Sequence, residues 1–180
     1  MGVCYLKKAI FLDRDGVLNQ VILKNGKPYS PANLHELSIP EDVPHALAIL
    51  KSQGYLLIGA TNQPDVARGI TTQDAVNSIH EKLMTVLPLD EIRVCYHDDQ
   101  DHCLCRKPLP GMLLAAAEQH AIDLTKSIMI GDRWKDIEAG KKAGCQTIWM
   151  HAHYEERQPT SADFTAYSLQ DAMQWIISRR

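Results

Sequence analysis

The sequence predicts an α/β fold, in which a parallel, doubly wound β-sheet carries helices on both faces. Short continuous apolar runs, which are typical of buried strands, recur along the chain, and segments with apolar residues at helical spacing separate them. This alternation of strand and helix favours a parallel sheet. The length of 180 residues suits one compact domain, so we expect residues 1–180 to form a single domain.

The predicted strands are five short apolar runs. They cover residues 8–13, 55–61, 92–96, 127–131 and 146–150. The predicted helices cover residues 43–53, 72–86, 111–120, 134–143 and 169–177. Because the strands are expected to be parallel, their carboxyl ends should meet at one edge of the sheet, where open α/β sheets bind ligands.

Two segments are predicted to be irregular. Residues 19–37 contain Gly26, Pro28 and Pro31 directly after the first strand, which indicates a loop excursion at the sheet edge. Residues 154–165 are polar and interrupted by proline, which predicts a second loop.

The composition excludes several classes of protein. Hydrophobic residues make up 45% and charged residues 23% of the chain, which excludes wholesale disorder. The net charge is -3 and long runs of Lys or Arg are missing, so we expect no nucleic-acid partner. Apolar runs long enough for a bilayer and a signal peptide are also missing, so we expect a cytoplasmic protein without a membrane partner.

Two aspartates follow the first predicted strand. Asp13 and Asp15 lie in the segment FLDRDGVLN, directly before Gly16, which lets the chain turn. Both carboxylates can therefore face the sheet edge and hold Mg²⁺, and one can attack phosphorus while the other handles a proton. An acidic turn that caps a strand is the structural alternative for this pair taken alone.

The segment FLDRDGVLN resembles the first signature of the haloacid dehalogenase superfamily of phosphohydrolases. Residues that resemble the other signatures follow in the family's order, and they are Thr61 in GATNQ, Lys107 in CRKPLPG and Asp132 in IGDRWKDIEAG. Four such motifs at strand ends are not explained by coincidence. The resemblance implies a Rossmann-like sheet of the haloacid dehalogenase type with a minimal cap.

The resemblance also implies a role for each of these residues. Asp13 is the implied nucleophile that forms an aspartyl-phosphate, and Asp15 is the implied general acid and base. Mg²⁺ is implied to bind to Asp13, Asp132 and the backbone carbonyl of Asp15. Thr61 and Lys107 are implied to stabilise the phosphoryl group.

Residues 95–105 contain three cysteines and two histidines in a polar loop. Their C-x-H and C-x-C spacing offers a closed tetrahedral zinc site with a structural role. The predicted zinc ligands are Cys95, His97, Cys103 and Cys105, with His102 as a competing fourth ligand. We expect Cys4 and Cys145, which stand apart, to be spare reduced thiols.

The pattern CYH followed by CLCRKPLPGM resembles the branch of the superfamily that contains the D-glycero-D-manno-heptose 1,7-bisphosphate 7-phosphatases and the histidinol-phosphate phosphatases. TNQPDVARG and PGMLLAA favour the heptose group. The implied substrate is a small sugar phosphate, specifically the 7-phosphate of the heptose bisphosphate. The implied substrate-binding residues are Tyr29, Asn62, Gln63, Arg68, Arg106 and Arg133.

Alternatives remain open at this point. Histidinol-phosphate phosphatase is the nearest competing activity, although three arginines suit a substrate with a second phosphate. A non-catalytic zinc-loop binding protein is a competitor of a different class, and the intact acids count against it. Asp65 and the long excursion at residues 20–29 depart from the heptose pattern and leave the particular sugar open. Asp136, four residues after Asp132, is a candidate to bind the metal or to support a residue that does, and its role stays open. We assign no role to His151 or His153, and we expect a monomer.

Overall fold

The structure is a computed structural model that describes residues 6–179, so Cys4 lies outside the described residues. The strands are β1 (Lys8–Leu12), β2 (Ile22–Lys24), β3 (Lys27–Tyr29), β4 (Tyr55–Asn62), β5 (Glu91–Cys95), β6 (Ile128–Gly131), β7 (Gln146–Met150) and β8 (Phe164–Ala166). The helices are α1 (Asp42–Ser52), α2 (Gln73–Val86), α3 (Gly111–His120), α4 (Trp134–Ala143) and α5 (Leu169–Ser178).

Six of the strands form one parallel sheet in the order β5-β4-β1-β6-β7-β8. The central strand β1 lies between β4 and β6, and Phe11 is in register with Ile58 on one side and Met129 on the other. Because β1 is covered on both faces, its sequence KAIFL is continuously apolar rather than alternating.

The core lies in two layers, one on each face of the sheet. Ile10 and Leu12 of β1 pack into the layer that α1, α2 and α5 cover. Ala9 and Phe11 face the opposite layer, which includes Met112 of α3. Successive strand residues therefore enter different cores, and the predicted doubly wound sheet is confirmed.

The five predicted strands and five predicted helices all form, and each observed end lies within one residue of the predicted end. The prediction of an irregular segment at residues 19–37 was wrong in part, because β2 and β3 form an antiparallel hairpin there. Asn25 and Gly26 have φ of 51° and 71°, which is the conformation of a tight hairpin turn. The loop predicted at residues 154–165 also ends earlier, because β8 adds a short edge strand beside β7.

Among residues 6–179, every helix is too short or too polar to cross a membrane.

The topology brings three signature segments to one edge. Asp13 directly follows β1, Thr61 lies at the end of β4, and Asp132 directly follows β6. Since β4 and β6 are the two neighbours of β1, these residues lie side by side at the carboxyl edge of the sheet.

Candidate active site

Three buried carboxylates meet at the carboxyl ends of β1 and β6. Oxygen atoms of Asp13, Asp132 and Asp136 all lie within 4.8 Å of one another. Asp136 reaches this cluster from the first turn of α4, where it also accepts a hydrogen bond from the backbone N–H of Arg133 at 2.9 Å. The sequence left the role of Asp136 open, and the structure makes it the third member of the acid cluster.

The acid cluster is electrostatically strained and suits a divalent cation. Burial, together with the neighbouring Asp136, raises the pKa of Asp13 to about 6. Burial and the charge of Asp13 also raise the pKa of Asp132 well above its usual range. Within residues 6–179, Oδ1 of Asp132 is buried without a hydrogen-bond partner. Crowded carboxylates with an unpartnered oxygen are the hard ligands that Mg²⁺ prefers, so the residues present fit this ion.

Lys107 offsets part of the negative charge. Its buried Nζ lies 2.8 Å from Oδ1 of Asp13 and 2.6 Å from Oδ1 of Asp136. Burial alone would lower the pKa of Lys107, but the two carboxylates outweigh burial and raise it. Lys107 is therefore a fixed cation beside the carboxylate of Asp13.

Asn62, at the end of β4, holds the segment that carries Lys107. Its Nδ2 donates to the carbonyl oxygen of Lys107 at 3.0 Å, and its Oδ1 accepts from the backbone N–H of Lys107 at 3.1 Å. This paired hydrogen bond gives Asn62 a positioning role that the sequence did not predict.

Asp15 is surrounded by hydrogen-bond donors. Arg14 donates from Nη2 to both carboxylate oxygens, at 2.9 and 2.8 Å. Ser30 and Gln63 each donate to Oδ2 at 2.8 Å, and Asn19 donates to Oδ1 at 2.9 Å. Burial raises the pKa of Asp15, but the charge of Arg14 and these hydrogen bonds outweigh burial and lower it. The carboxylate form of Asp15 is therefore favoured in this structure.

Gln63 also connects Asp15 to the neighbouring strand. Its Nε2 donates to Oγ1 of Thr61 at 2.9 Å, and both side chains are buried. Thr61 is thus held beside the acid site, and its contact with a phosphoryl group stays a prediction.

Behind Asp15, a buried histidine contacts Arg14. The Nη1 atom of Arg14 lies 3.2 Å from Nε2 of His80, which α2 supplies. Burial and the positive charge of Arg14 lower the pKa of His80 to about 4, so a neutral His80 accepts the hydrogen bond. Sequence reasoning missed both residues because His80 lies 66 positions from Arg14.

Gly16 is required by close packing against the acid cluster. It has a φ of +87°, and a Cβ atom there would lie 1.9 Å from Oδ2 of Asp132. Any side chain would displace the Asp132 carboxylate, so the glycine in DRDG serves the site as well as the turn.

A cleft of about 290 Å³ opens in front of the site. Four of the predicted substrate-binding residues line this cleft, and they are Tyr29, Asn62, Arg68 and Arg133. The structure does not bring Arg106 there. Arg106 donates to Asp99 at 2.7 Å and to the carbonyl oxygen of His97 at 3.2 Å, and it lines an adjoining cleft with Lys107.

The segment at residues 151–157, which we call the strap, contacts the acid cluster through Tyr154. The hydroxyl of Tyr154 donates to Oδ2 of Asp132 at 2.6 Å. The backbone N–H of Glu155 donates to the carbonyl oxygen of Gly26 in the hairpin at 3.0 Å. Sequence reasoning missed Tyr154, and the only available signal was an aromatic residue in a polar segment.

The cysteine cluster has the dimensions of a zinc site. The three Sγ–Sγ distances are 3.2 Å (Cys95–Cys105), 3.5 Å (Cys103–Cys105) and 3.7 Å (Cys95–Cys103). Nδ1 of His97 lies 3.3 Å from the sulfur of Cys105. Sulfur ligands about 2.3 Å from a tetrahedral zinc ion lie about 3.8 Å apart. The four predicted ligands therefore fit zinc, and His97 rather than His102 completes the described cluster.

Comparisons with known proteins identify the relatives of this chain. The HAD-hydrolase-like family model matches residues 104–172. The D-glycero-D-manno-heptose-1,7-bisphosphate 7-phosphatase of Thermosynechococcus vestitus is 32% identical, with 96% of each chain covered. The D-glycero-beta-D-manno-heptose-1,7-bisphosphate 7-phosphatase of Bordetella bronchiseptica is 35% identical, with 77% of each chain covered.

A crystal structure with a similar fold is that of the D,D-heptose 1,7-bisphosphate phosphatase from B. bronchiseptica, complexed with magnesium and phosphate. It superposes with a TM-score of 0.78 at 28% identity, and the match covers 96% of this chain and 99% of that one.

Proposed function

The chain belongs to the haloacid dehalogenase-like phosphatases, in the family of the heptose 1,7-bisphosphate 7-phosphatases, and from this premise we propose that it hydrolyses the 7-phosphate of D-glycero-D-manno-heptose 1,7-bisphosphate. The observation that carries the proposal is the ion pair of Lys107 with Asp13, beside Asp132 at the carboxyl edge of the sheet. This arrangement places a carboxylate nucleophile among the charges that phosphoryl transfer requires.

In the proposed first step, the carboxylate of Asp13 attacks phosphorus. A bond forms between the Asp13 oxygen and phosphorus, the bond to the sugar oxygen breaks, and Asp15 gives its proton to that oxygen. In the second step Asp15 takes a proton from water, and the water oxygen forms a bond to phosphorus. The bond between the Asp13 oxygen and phosphorus breaks, so inorganic phosphate leaves and the Asp13 carboxylate is restored. Asp15 therefore acts first as an acid and then as a base.

The surroundings of Asp15 impose a condition on the first step. The hydrogen bonds from Arg14, Gln63 and Ser30 favour its charged form, whereas the first step requires a proton. A phosphomonoester dianion beside Asp15 raises the pKa of this carboxyl group. The hydroxyl of Ser30 can turn from donor to acceptor, so it can accommodate the protonated acid.

Lys107 and Thr61 hold the transferring group. Lys107 neutralises charge on Asp13 and on the phosphoryl oxygens, and the Thr61 hydroxyl donates to one of those oxygens. Asp13, Asp132 and Asp136, together with the backbone carbonyl of Asp15, would hold Mg²⁺, which supplies positive charge that stabilises the transferring phosphoryl group.

Zinc has a structural role in this proposal. Cys95, His97, Cys103 and Cys105 would hold it in a closed set without a position for substrate. Because Arg106 and Lys107 follow Cys105 directly, the ion would fix the start of the segment that carries the catalytic lysine. Asn62 fixes the same segment from the other side.

The test is release of phosphate from both anomers of heptose 1,7-bisphosphate and from histidinol phosphate, with Mg²⁺ and with a chelator. The proposal expects Mg²⁺-dependent hydrolysis of a heptose anomer at a kcat/KM well above that for histidinol phosphate. Preference for histidinol phosphate would keep the mechanism and refute the substrate. Activity that the chelator leaves unchanged would refute the Mg²⁺ site.

A further inference from the structure

The positive charge on the cleft wall comes from three residues, Lys27, Arg68 and Arg133. A sugar that carries a second phosphate would be expected to use these cations, because guanidinium groups bind phosphate through two parallel hydrogen bonds. Their present partners therefore decide how available they are to a substrate.

Arg133 is already occupied by a carboxylate of the same chain. Its Nε donates to Oε1 of Glu156 at 2.9 Å, and its Nη2 donates to Oε2 at 2.5 Å. This is the paired geometry in which a guanidinium would bind a phosphate. Glu156 lines the same cleft as Arg133, so its carboxylate stands where an anionic group of a substrate would approach.

Arg68 shows the same pattern independently. Its Nε and Nη2 donate to the two carboxylate oxygens of Asp98, each at 2.7 Å, and its Nη1 lies 3.3 Å from Asp65. Lys27 is the remaining cation, and it has no ion pair within residues 6–179. Lys27 is therefore the cation that the cleft leaves for an anionic substrate group, because both guanidinium groups already bind carboxylates.

Glu156 lies in a fixed position, because the strap is hydrogen-bonded to the rest of the protein on both sides of it. Tyr154 is anchored on Asp132, and Arg157 donates to Glu138 of α4 at 2.9 Å. The Glu156 side chain is 20% exposed. A ligand must therefore displace a fixed carboxylate, rather than a freely moving one, to reach the Arg133 fork.

We propose that Glu156 is a specificity-determining residue, whose carboxylate competes with a second anionic group of the substrate for Arg133. The inference rests on the proposed function and deepens it. The second phosphate of the 1,7-bisphosphate should bind to Lys27. The kcat/KM of the wild type for the bisphosphate should therefore exceed that for heptose 7-phosphate, which lacks the second phosphate, but by less than about tenfold. Glu156→Gln removes the charge and one of the two oxygens that hold the guanidinium, so it should raise this preference about tenfold.

The experiment compares the kcat/KM of heptose 1,7-bisphosphate with that of heptose 7-phosphate for the wild type, Glu156→Gln and Glu155→Gln. Glu155 lines the same cleft and packs against Gly26. Its substitution removes an equal charge but leaves the pairing of Arg133 with Glu156 intact, so it is the matched control. We expect Glu156→Gln to raise the ratio about tenfold through a lower KM for the bisphosphate, and Glu155→Gln to raise it less than about threefold.

An unchanged ratio in Glu156→Gln, or an equal rise in both variants, would overturn the inference. Binding of the same two compounds to Asp13→Asn and to Asp13→Asn with Glu156→Gln, measured by calorimetry, gives the ratio without turnover. If the wild type hydrolyses neither compound, the proposed function fails, while the ratio of affinities still decides the role of Glu156.

Discussion

Replacing Lys107 by methionine tests whether the buried ion pairs hold the acid cluster together. The Lys107 side chain is 2% exposed, and its Nζ contacts carboxylates that are 10% (Asp13) and 2% (Asp136) exposed. Methionine keeps most of the length of the side chain and removes the charge. Two buried carboxylates then lose their cation, while the pKa values of Asp13 and Asp132 are already raised by crowding.

The expected cost follows from the burial of these groups. Removing one partner from a buried ion pair destabilises a protein by about 3–5 kcal/mol, because it leaves an uncompensated charge in the interior. We therefore expect Lys107→Met to lower the free energy of unfolding by about 3–5 kcal/mol without divalent cations. The second change Asp136→Asn should recover part of this loss, since it removes one of the stranded charges.

The assay is urea unfolding in the presence of a chelator, with Lys126→Met as the matched control. Lys126 pairs with Asp123 at the surface, where its side chain is 73% exposed, and such pairs contribute about 0–1 kcal/mol. A loss below about 1 kcal/mol in Lys107→Met, or no recovery in the double variant, would refute the reasoning.

Three further predictions concern the strap, the zinc site and the buried histidine. Tyr154→Phe removes the hydroxyl that orients Asp132, so the Mg²⁺ concentration for half-maximal activity should rise about tenfold. A fall in this Mg²⁺ concentration would instead show that the hydroxyl competes with the ion for Asp132. Cys103→Ser should lose zinc, measured by elemental analysis, and should unfold at a lower temperature; one retained zinc per chain would contradict the ligand assignment. The pKa of His80 falls from 6.5 to about 4 on folding, so between these pH values the folded state binds fewer protons than the unfolded state. The free energy of unfolding should therefore fall by about 3 kcal/mol as the pH drops from 6.5 to 4. His80→Gln should reduce this dependence in urea titrations between pH 7.5 and 4, and an unchanged pH dependence would exclude the histidine as its source.

The parts of the site that follow from local patterns were predictable from the sequence. Asp13, Thr61 and Asp132 each follow an apolar run, and a parallel sheet brings the ends of such runs to one edge. The zinc ligands were predictable for a similar reason, because all four lie within eleven consecutive positions.

The missing parts depend on contacts between distant segments. Tyr154 reaches Asp132 across 22 positions, and Glu156 pairs with Arg133 across 23. No periodicity or motif encodes these distances, because they arise only when the strap folds back over the site. For the same reason the sequence placed Arg106 with Arg68 and Arg133, whereas its carboxylate partner Asp99 holds it in the adjoining cleft.

The contacts within the chain do not test three of the predictions. The monomeric state, the cytoplasmic location and the organisation of residues 1–180 as one domain stay predictions. His151 packs its ring against those of His153 and Trp149, with centroid distances of 4.6 and 5.0 Å, and no role is assigned to either histidine.

Covalent transfer of the phosphoryl group to Asp13 is the central claim, and rapid-quench mass spectrometry tests it most directly. The wild type is mixed with Mg²⁺ and heptose 1,7-bisphosphate, quenched in acid within the first turnover, and digested. The mechanism predicts one phosphoryl group on the peptide that contains Asp13, and neither this adduct nor turnover in Asp13→Asn. Turnover that persists in Asp13→Asn, or a phosphoryl group on a different peptide, would contradict it.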